Sequence, residues 1–288
     1  MQNVEKYSGF MGCVEDYTAA SLVLLGAPMD FTVSFRPGAR FGPEQIRRVS
    51  VGLEEYSPSL DRDLSGFAYY DAGDVCLVPG RIEASLHRIG RAVGQVMADG
   101  KFPLLLGGEH LVTLPAVEAT TRYFPELAVI HFDAHADLRD DYLGERLSHA
   151  TVMRRVAEVV GGKNIYQFGI RSGTREEFAY ARAQTNLFRG EIISSLRQVL
   201  ERLKGRPLYI TLDIDVLDPA YAPGTGTPEP GGCTPGEIFT ALYMLKDRQI
   251  VGMDLVEVCP ACDPTESTAL LAAKLVREAI LSFARTCV

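Results

Sequence analysis

Short apolar runs separated by helical patterns are the feature that most constrains the fold of this chain. The runs are apolar at consecutive positions, so a strand formed by any of them must bury both of its faces. A parallel sheet covered by helices on both sides meets that requirement, and the alternation of strand with helix favours this α/β arrangement. The predicted strands are 21–25, 102–106, 127–132, 165–169, 208–214 and 250–256, and the predicted helices are 81–98, 148–160, 191–203 and 234–245.

A single domain is predicted for residues 1–288. A chain of this length can bury one large core, and no internal repeat, low-complexity tract or linker divides it. Two helix starts can also be predicted. Thr234-Pro-Gly-Glu237 has the pattern of a capping box with proline at the first helical position. The last helix is expected to begin near Asp263 and to run almost to the C-terminus.

The charge balance excludes several classes of partner. A net charge of −8 argues against nucleic acid and against an anionic membrane surface, because both require a basic protein surface. The negative net charge suits a cationic small molecule, although the net charge of a chain does not give the charge of any one cleft. No apolar run approaches the roughly 20 residues that span a bilayer, and the first residues lack the pattern of a signal peptide. We therefore expect a cytoplasmic protein that binds neither nucleic acid nor membranes.

Six cysteines in a chain of this length do not form the framework of a disulfide-rich domain. Cys259-Pro-Ala-Cys262 has the spacing of a redox-active pair. Because there is no second pair and no thioredoxin-like context, reduced thiols are the favoured interpretation. Reduced thiols agree with a cytoplasmic location.

Polar clusters stand directly after four of the predicted strands, at the edge where parallel sheets bind their ligands. In an extended backbone alternate side chains share a face, so Asp133, His135 and Asp137 are expected to point the same way. The same argument applies to the Asp-x-Asp pair at the end of strand 208–214, and Glu257 follows the fourth strand. The residues of metal-ligand type in these clusters are His110, Asp133, His135, Asp137, Asp213 and Asp215.

Two histidines and four carboxylates crowded at one edge repel one another unless cations lie among them. One divalent ion leaves the four carboxylates short of neutrality, whereas two ions balance them. Oxygen-rich ligands with two imidazoles and no cysteine favour Mn²⁺ over zinc, with Mg²⁺ and Fe²⁺ as open alternatives. Two such ions lower the pKa of a water between them enough to give hydroxide near neutrality. A lone Asp-x-Asp is more often a helix cap or a turn, but clusters on three separate strands favour a metal site.

Three further histidines and one glutamate need separate interpretations. His131 lies inside a predicted strand, and we interpret it as a packed histidine that supports the ligands. His149 follows a polar loop and opens a helix, where it either caps that helix or exchanges protons near the metal. The second role is favoured. His87 lies in an amphipathic helix and is predicted to be structural. Position alone leaves Glu257 open between a surface glutamate and a functional carboxylate.

Six segments together resemble the signatures of the ureohydrolase family, which includes arginases, agmatinases, guanidinobutyrases and formiminoglutamases. The likeness runs in order from Gly26 to Glu257 and is strongest to bacterial agmatinases over 35–43, 137–142 and 169–177. The segments are Gly-Gly-Glu-His110, His-Phe-Asp-Ala-His-Ala-Asp137, Ser-His-Ala150, Asp-Ile-Asp-Val-Leu-Asp-Pro219, Pro-Gly-Thr-Gly-Thr-Pro228 and Asp-Leu-Val-Glu-Val-Cys-Pro260.

The resemblance implies a mostly parallel sheet in a three-layer α/β/α sandwich of the arginase/deacetylase type. It also implies two Mn²⁺ ions per chain and assembly into homotrimers or homohexamers. His149 matches the family's proton-shuttling histidine, and Glu257 matches the carboxylate that holds the guanidinium group. The resemblance assigns the ion ligands as one pair for each ion and one shared pair: His110 with Asp137, His135 with Asp215, and the shared Asp133 with Asp213.

The predicted function is the hydrolysis of a linear amidine C–N bond in agmatine, giving urea and putrescine. Glu257 would hold the guanidinium cation by paired hydrogen bonds while hydroxide attacks its central carbon. Asp137 would pass a proton to the departing amine, and His149 would exchange protons with solvent. Three acidic loop residues either suit the ammonium tail of agmatine better than a carboxylate tail or are simply solvated: Asp140, Asp141 and Glu145.

Arginase and guanidinobutyrase activities are the alternatives within the family. Arginine carries an α-carboxylate and an α-ammonium group, so an arginase needs extra polar groups that the sequence does not identify. A non-catalytic relative acting as a binding subunit would lack a ligand or His149, yet every expected position is filled. A metal-dependent amide hydrolase of the same broad fold would need neither Glu257 nor the ligands of a second ion.

Overall fold

The fold is built around a nine-stranded sheet, in a computed structural model that describes residues 3–5, 9–189 and 191–285. The strands are β1 Val4–Glu5, β2 Leu22–Ala27, β3 Tyr56–Ser57, β4 Arg62–Asp63, β5 Tyr69–Val75, β6 Phe102–Gly107, β7 Ala128–Phe132, β8 Ile165–Phe168, β9 Asn186–Phe188, β10 Leu208–Asp213 and β11 Ile250–Val256. The helices are α1 Gly42–Ser50, α2 Ile82–Ala98, α3 Thr113–Thr121, α4 Val152–Val160, α5 Arg175–Gln184, α6 Ile192–Arg202, α7 Pro235–Leu245 and α8 Ser267–Phe283.

The large sheet has the strand order β1-β5-β2-β6-β11-β10-β7-β8-β9, while β3 and β4 form a separate antiparallel pair. Among the described strands of the large sheet, β1 pairs with β5 in the antiparallel direction and every other neighbouring pair is parallel. The carboxyl ends of β6, β11, β10 and β7 therefore meet at the centre of one edge. The predicted mostly parallel sheet is confirmed.

Helices cover both faces of the sheet. The side chains of α1, α6, α7 and α8 pack in one hydrophobic core, and those of α2, α3, α4 and α5 pack in a second core on the opposite face. Strand β6 shows the division, because Leu104 and Leu106 enter the first core and Leu105 enters the second. This is the three-layer α/β/α sandwich that the sequence predicted. Within the described residues, no helix has the length and apolar character needed to cross a membrane.

The predicted strands and helices are all present, with ends shifted by a few residues, but several further elements were not identified from the sequence. Strand β5 contains Asp71 and Asp74, and these charges interrupt the apolar pattern that marks a buried strand. Helix α3 is buried on nearly every side, so its sequence shows no amphipathic period. Short or mostly polar sequences account for β9, α1 and α5.

The helix-start predictions have mixed outcomes. The capping box is confirmed, because the Thr234 side chain accepts the backbone N–H of Glu237 at the start of α7. Helix α8 begins at Ser267 and not near Asp263. Asp263 Oδ2 accepts the backbone N–H and the hydroxyl of Thr268, at 2.8 and 2.7 Å, so its carboxylate binds the first turn of the helix from outside.

A buried ion network explains how β5 tolerates its aspartates. Arg47 Nε lies 2.8 Å from Asp71 Oδ2, and Arg47 Nη1 lies 2.6 Å from Asp74 Oδ1. The Arg47 side chain is only 2% exposed, so water cannot replace these two carboxylates as partners of the guanidinium group. The network therefore links α1 to β5.

Arg47→Met should lower the free energy of unfolding by about 3–5 kcal/mol, because it leaves buried carboxylates without their cation. Urea denaturation followed by circular dichroism measures the change. Arg48→Met is the matched control, since the Arg48 side chain is 62% exposed and its ion pair with Glu266 contributes at most about 1 kcal/mol. Equal losses in the two variants would contradict a structural role for the buried network.

Candidate metal centre and cavity

The segment after β7 brings three predicted ligands together through a turn. Strand β7 ends at Phe132, and Asp137 has a left-handed backbone conformation with φ of 53°. Asp133 Oδ1 accepts the backbone N–H of His135 at 2.6 Å and thereby closes the turn. The expectation that these residues share one face of an extended strand was therefore wrong, although their side chains do converge.

The Asp-x-Asp pair after β10 is built in the same way. Asp213 Oδ1 accepts the backbone N–H of Asp215 at 2.8 Å, at the start of a 3₁₀ turn over Ile214–Val216. Asp215 Oδ1 accepts the backbone N–H of Ala134 at 3.0 Å, which ties the ends of β7 and β10 together. The carboxylates thus satisfy backbone N–H groups that lie beyond the last ladder bonds of their strands.

His110 enters the cluster from the end of β6. Its Nε2 lies 2.8 Å from Thr211 Oγ1, so the ring is held from the side of the sheet. Its other nitrogen faces the carboxylates. His110 Nδ1 lies 3.0 Å from Asp133 Oδ2, 3.3 Å from Asp137 Oδ2 and 3.4 Å from Asp213 Oδ2.

His135 forms the second half of the cluster. Its Nδ1 lies 2.9 Å from Asp215 Oδ2 and 3.6 Å from Asp133 Oδ1. Two sets of potential ligand atoms, each within 4.8 Å of one another, occur in the described residues, and Asp133 belongs to both sets. The structure therefore brings all six predicted ligands to one place, with Asp133 between the two halves.

Burial sets the charge state of this cluster. It raises the pKa of Asp213 well above the usual range and the pKa of Asp137 to about 7. Burial acts on Asp133 in the same direction, yet hydrogen bonds from the neighbouring histidines hold its pKa well below that range. His110 Nδ1 and Asp215 Oδ2 are buried, and their short contacts with Asp133 and His135 lack the geometry of hydrogen bonds. Two divalent ions would use these lone pairs and allow all four aspartates to ionise, so the residues fit a binuclear centre.

His131 lies within ligand distance of the cluster, but its hydrogen bonds give it a supporting role. Gln167 Nε2 donates to Ala136 O at 3.0 Å and lies 3.1 Å from His131 Nδ1. A carbonyl oxygen only accepts hydrogen bonds, so the atom of the Gln167 amide that faces Ala136 O is the nitrogen. The second hydrogen of this nitrogen is donated to His131 Nδ1. The proton of His131 is then on Nε2, which donates to Asp133 Oδ2 at 2.8 Å. This geometry agrees with the packed histidine that the sequence indicated.

A cavity of about 260 Å³ opens onto the cluster. Its wall includes His149 and Glu257 together with His135, Asp137 and Asp213, so the predicted catalytic residues and ligands share one space. A larger cavity of about 750 Å³ lies elsewhere, beside α2 and β5. Among the described residues, the larger cavity is lined by one carboxylate, Asp99, and by no histidine, so it lacks the groups for metal chemistry.

Glu257 reaches the cavity from the end of β11. Its backbone is left-handed, with φ of 65°, and its N–H donates to Gly108 O at 2.8 Å. Its Oε1 accepts the backbone N–H of His110 at 2.8 Å. Burial raises the pKa of Glu257 to about 8. A cation in the cavity would favour the ionised form of Glu257. A planar guanidinium is such a cation, and it binds a carboxylate by charge-assisted hydrogen bonds.

His149 is distant from Glu257 in the sequence but lines the same cavity. Burial lowers its pKa to about 4, so the neutral imidazole predominates near pH 7. The ring packs edge-on against Tyr142, with centroids 5.8 Å apart, and its Nε2 lies 3.3 Å from Ser34 Oγ. A neutral imidazole at a cavity wall can accept and release a proton.

The acidic loop residues expected to receive an ammonium tail do not line the cavity. Asp140 binds Arg155 at 2.8 Å, and Asp141 Oδ1 accepts the backbone N–H of Gly144 at 3.1 Å. The loop instead contributes Arg139 and Tyr142 to the wall. Both residues lie in the segment 137–142, where the sequence resembles bacterial agmatinases, but that likeness does not distinguish lining residues from exposed ones.

Comparison with known proteins places this architecture in a family. The sequence profile of the arginase family matches residues 20–282. An agmatinase of Bacillus subtilis (strain 168) is 49% identical over 286 residues, which cover 98% of this chain and 99% of that protein. The mitochondrial guanidino acid hydrolase of Homo sapiens is 38% identical over 88% of this chain and 76% of that protein.

A solved structure has the same fold. The agmatine ureohydrolase of Thermoplasma volcanium superposes with a TM-score of 0.88 and is 35% identical, covering 96% of this chain and 94% of that one. The resemblance drawn from the sequence motifs is confirmed by the profile match over most of the chain. This chain belongs to the arginase family.

Proposed function

We propose that this protein is an agmatinase, which hydrolyses the guanidinium group of agmatine to urea and putrescine. One observation carries the proposal: Glu257 and His149 line a single cavity with residues of the candidate metal centre. The agmatinase of Bacillus subtilis, 49% identical over 98% of this chain, supports the choice of substrate. Residues 1–288 would act as one catalytic domain, since both hydrophobic cores pack on the same sheet.

The proposed cofactor is a pair of Mn²⁺ ions, because four carboxylates and two imidazoles form an oxygen-rich ligand set. When bound, two such ions lower the pKa of a water between them and supply a nucleophile near neutral pH. The proposed ligands follow the family resemblance, with one pair for each ion and one shared pair: His110 with Asp137, His135 with Asp215, and the shared Asp133 with Asp213. The contacts of His110 with Asp137 and of His135 with Asp215 support the two pairs.

The protein's own groups bind the substrate and move the protons. Glu257 holds the guanidinium, and the fixed backbone contact of its Oε1 to His110 orients the carboxylate. Asp137 takes the proton of the attacking hydroxide at its carboxylate and returns it to the departing amine nitrogen. His149 exchanges a proton with solvent at the cavity wall.

Guanidinobutyrase activity is the second candidate, because Arg139 lines the cavity. A guanidinium at the wall would attract a carboxylate tail and repel the ammonium tail of agmatine. Glu177 moderates this effect, since its Oε2 lies 3.7 Å from Arg139 Nε and offsets the charge. Agmatine therefore remains the first candidate.

We also propose a homotrimer or homohexamer in the cytoplasm. The oligomer is supported only by the family resemblance. No disulfide joins the five cysteines within the described residues, and reduced thiols fit a reducing compartment.

Urea release from a substrate panel tests the function. The kcat/KM for agmatine should exceed that for guanidinobutyrate, guanidinopropionate and arginine by roughly tenfold or more, or about 1.4 kcal/mol. Arg139→Gln separates the two candidates, because loss of the cation should lower turnover of guanidinobutyrate and spare agmatine. Comparable or higher efficiency on arginine, or on guanidinobutyrate, would overturn agmatine as the substrate.

Removal of metal should abolish urea release, and Mn²⁺ should restore it better than Mg²⁺ or Zn²⁺. The protein is chelated, each metal is added back singly, and bound metal is measured by mass spectrometry alongside activity. We expect about two ions per chain at full activity, since one divalent ion balances two aspartates and the cluster contains four. Full activity in a verified metal-free sample would rule out the binuclear mechanism.

Glu257→Gln should reduce transition-state stabilisation by about 2–5 kcal/mol, because the substitution keeps the side chain's size and removes the charge that pairs with the guanidinium. The comparison is made on kcat/KM for agmatine, with metal content measured in parallel. Glu145→Gln is the control, since Glu145 is exposed and lies outside the cavity wall. A variant that loses its metal would show that Glu257 supports the ligands and does not anchor the substrate.

A further inference from the structure

Thr32 and Glu109 form a buried contact outside the ligand set. The Thr32 hydroxyl lies 2.6 Å from Glu109 Oε2, and the Thr32 backbone N–H donates to the same oxygen at 2.8 Å. The Glu109 side chain is completely buried, and its other oxygen, Oε1, has no hydrogen-bond partner among the described residues. Nothing in the mechanism described above uses either residue.

The same threonine also contacts His149. The backbone N–H of His149 donates to Thr32 Oγ1 at 2.9 Å, and His149 Nδ1 lies 3.4 Å from that oxygen. Helix α4 does not require this contact, because Ser148 and Thr151 already form a capping box at its start. The link across 117 positions of sequence therefore fixes the place of His149 itself.

The direction of these bonds determines which nitrogen of His149 holds the proton. Thr32 has one hydroxyl proton, and the shortest contact gives it to Glu109 Oε2, which also accepts the Thr32 backbone N–H. Thr32 Oγ1 then accepts from His149, so a proton on Nδ1 has two acceptors, Thr32 Oγ1 at 3.4 Å and Ser148 Oγ at 3.3 Å. Nε2 keeps its lone pair and lies 3.3 Å from Ser34 Oγ, a hydroxyl of the cavity wall.

We propose that Thr32, held by Glu109, is a positioning residue that keeps His149 in its place with Nε2 turned to the cavity for proton exchange. This inference rests on the proton-exchange role proposed for His149. Thr32 is not among the described residues that line the cavity, and its side-chain hydrogen bonds run to Glu109 and His149, so it acts through His149. We call the set Glu109, Thr32 and His149 the histidine clamp.

A double-mutant cycle tests the histidine clamp. Thr32→Val keeps the shape of the side chain and removes its hydroxyl, and it should lower kcat on agmatine about tenfold with KM within about twofold. Thr32→Ser restores the hydroxyl and should recover most of that loss. In a His149→Ala background, Thr32→Val should change kcat by less than about twofold, because the residue through which it acts is gone.

Several outcomes would overturn the clamp. Equal fold losses from Thr32→Val in both backgrounds would mean that Thr32 acts independently of His149. A Thr32→Ser variant as impaired as Thr32→Val would exclude the hydroxyl as the cause, and a fully active His149→Ala variant would remove the step that the clamp serves. Bound metal is measured in every variant, and loss of metal in Thr32→Val would mean that Thr32 supports the ligands instead.

Crystal structures of the metal-loaded variants separate this inference from the proposed function. The His149 ring should leave its position in Thr32→Val and keep it in Thr32→Ser, whether or not agmatine is the substrate. If wild-type protein releases no urea from agmatine, the agmatinase proposal fails and the ring position still decides the clamp. An unmoved ring in Thr32→Val would refute the clamp even in a fully active agmatinase.

Discussion

Repulsion among buried aspartates is the constraint on which the rest of the site depends. Asp133, Asp137, Asp213 and Asp215 are all buried at the carboxyl ends of β7 and β10. Such a group is stable only where backbone N–H groups, imidazoles and cations share its charge. Three features of the site meet this requirement. They are the turns after both strands, the orientation of His110 and His135 towards the carboxylates, and the fit for two ions.

The sheet beneath the site carries polar side chains at positions that are usually apolar in a buried strand. Thr211, between core residues of β10, holds His110, and His131 of β7 holds Asp133. Asp254 of β11 accepts the hydroxyl of Tyr209 at 2.9 Å. Polar groups inside a sheet are costly unless each is paired. Here they orient the ligand side chains from behind, as supporting residues do in metal centres generally.

The sequence was sufficient to predict the parallel sheet, its two helical layers and the six residues that gather at its edge. The apolar runs predict the strands, and the ligand-type residues at every second position predict the site. Both patterns lie within short stretches of sequence. It was not sufficient for β5, whose Asp71 and Asp74 are compensated by Arg47 from a different element. Nor could it identify the contact of Thr32 with Glu109, because partners 77 positions apart leave no local pattern. The acidic loop residues failed as a prediction because loop membership does not determine which side chains face a cavity.

The left-handed backbone at Glu257 has a consequence for how the chain folds. A glutamate rarely adopts this conformation by local preference, so the neighbouring contacts must stabilise it. Those contacts are the hydrogen bonds to Gly108 and His110, which exist only once β11 lies beside β6. A partly folded chain therefore lacks the carboxylate that we propose as the guanidinium anchor. Under that proposal, the substrate can bind only after the centre of the sheet has closed.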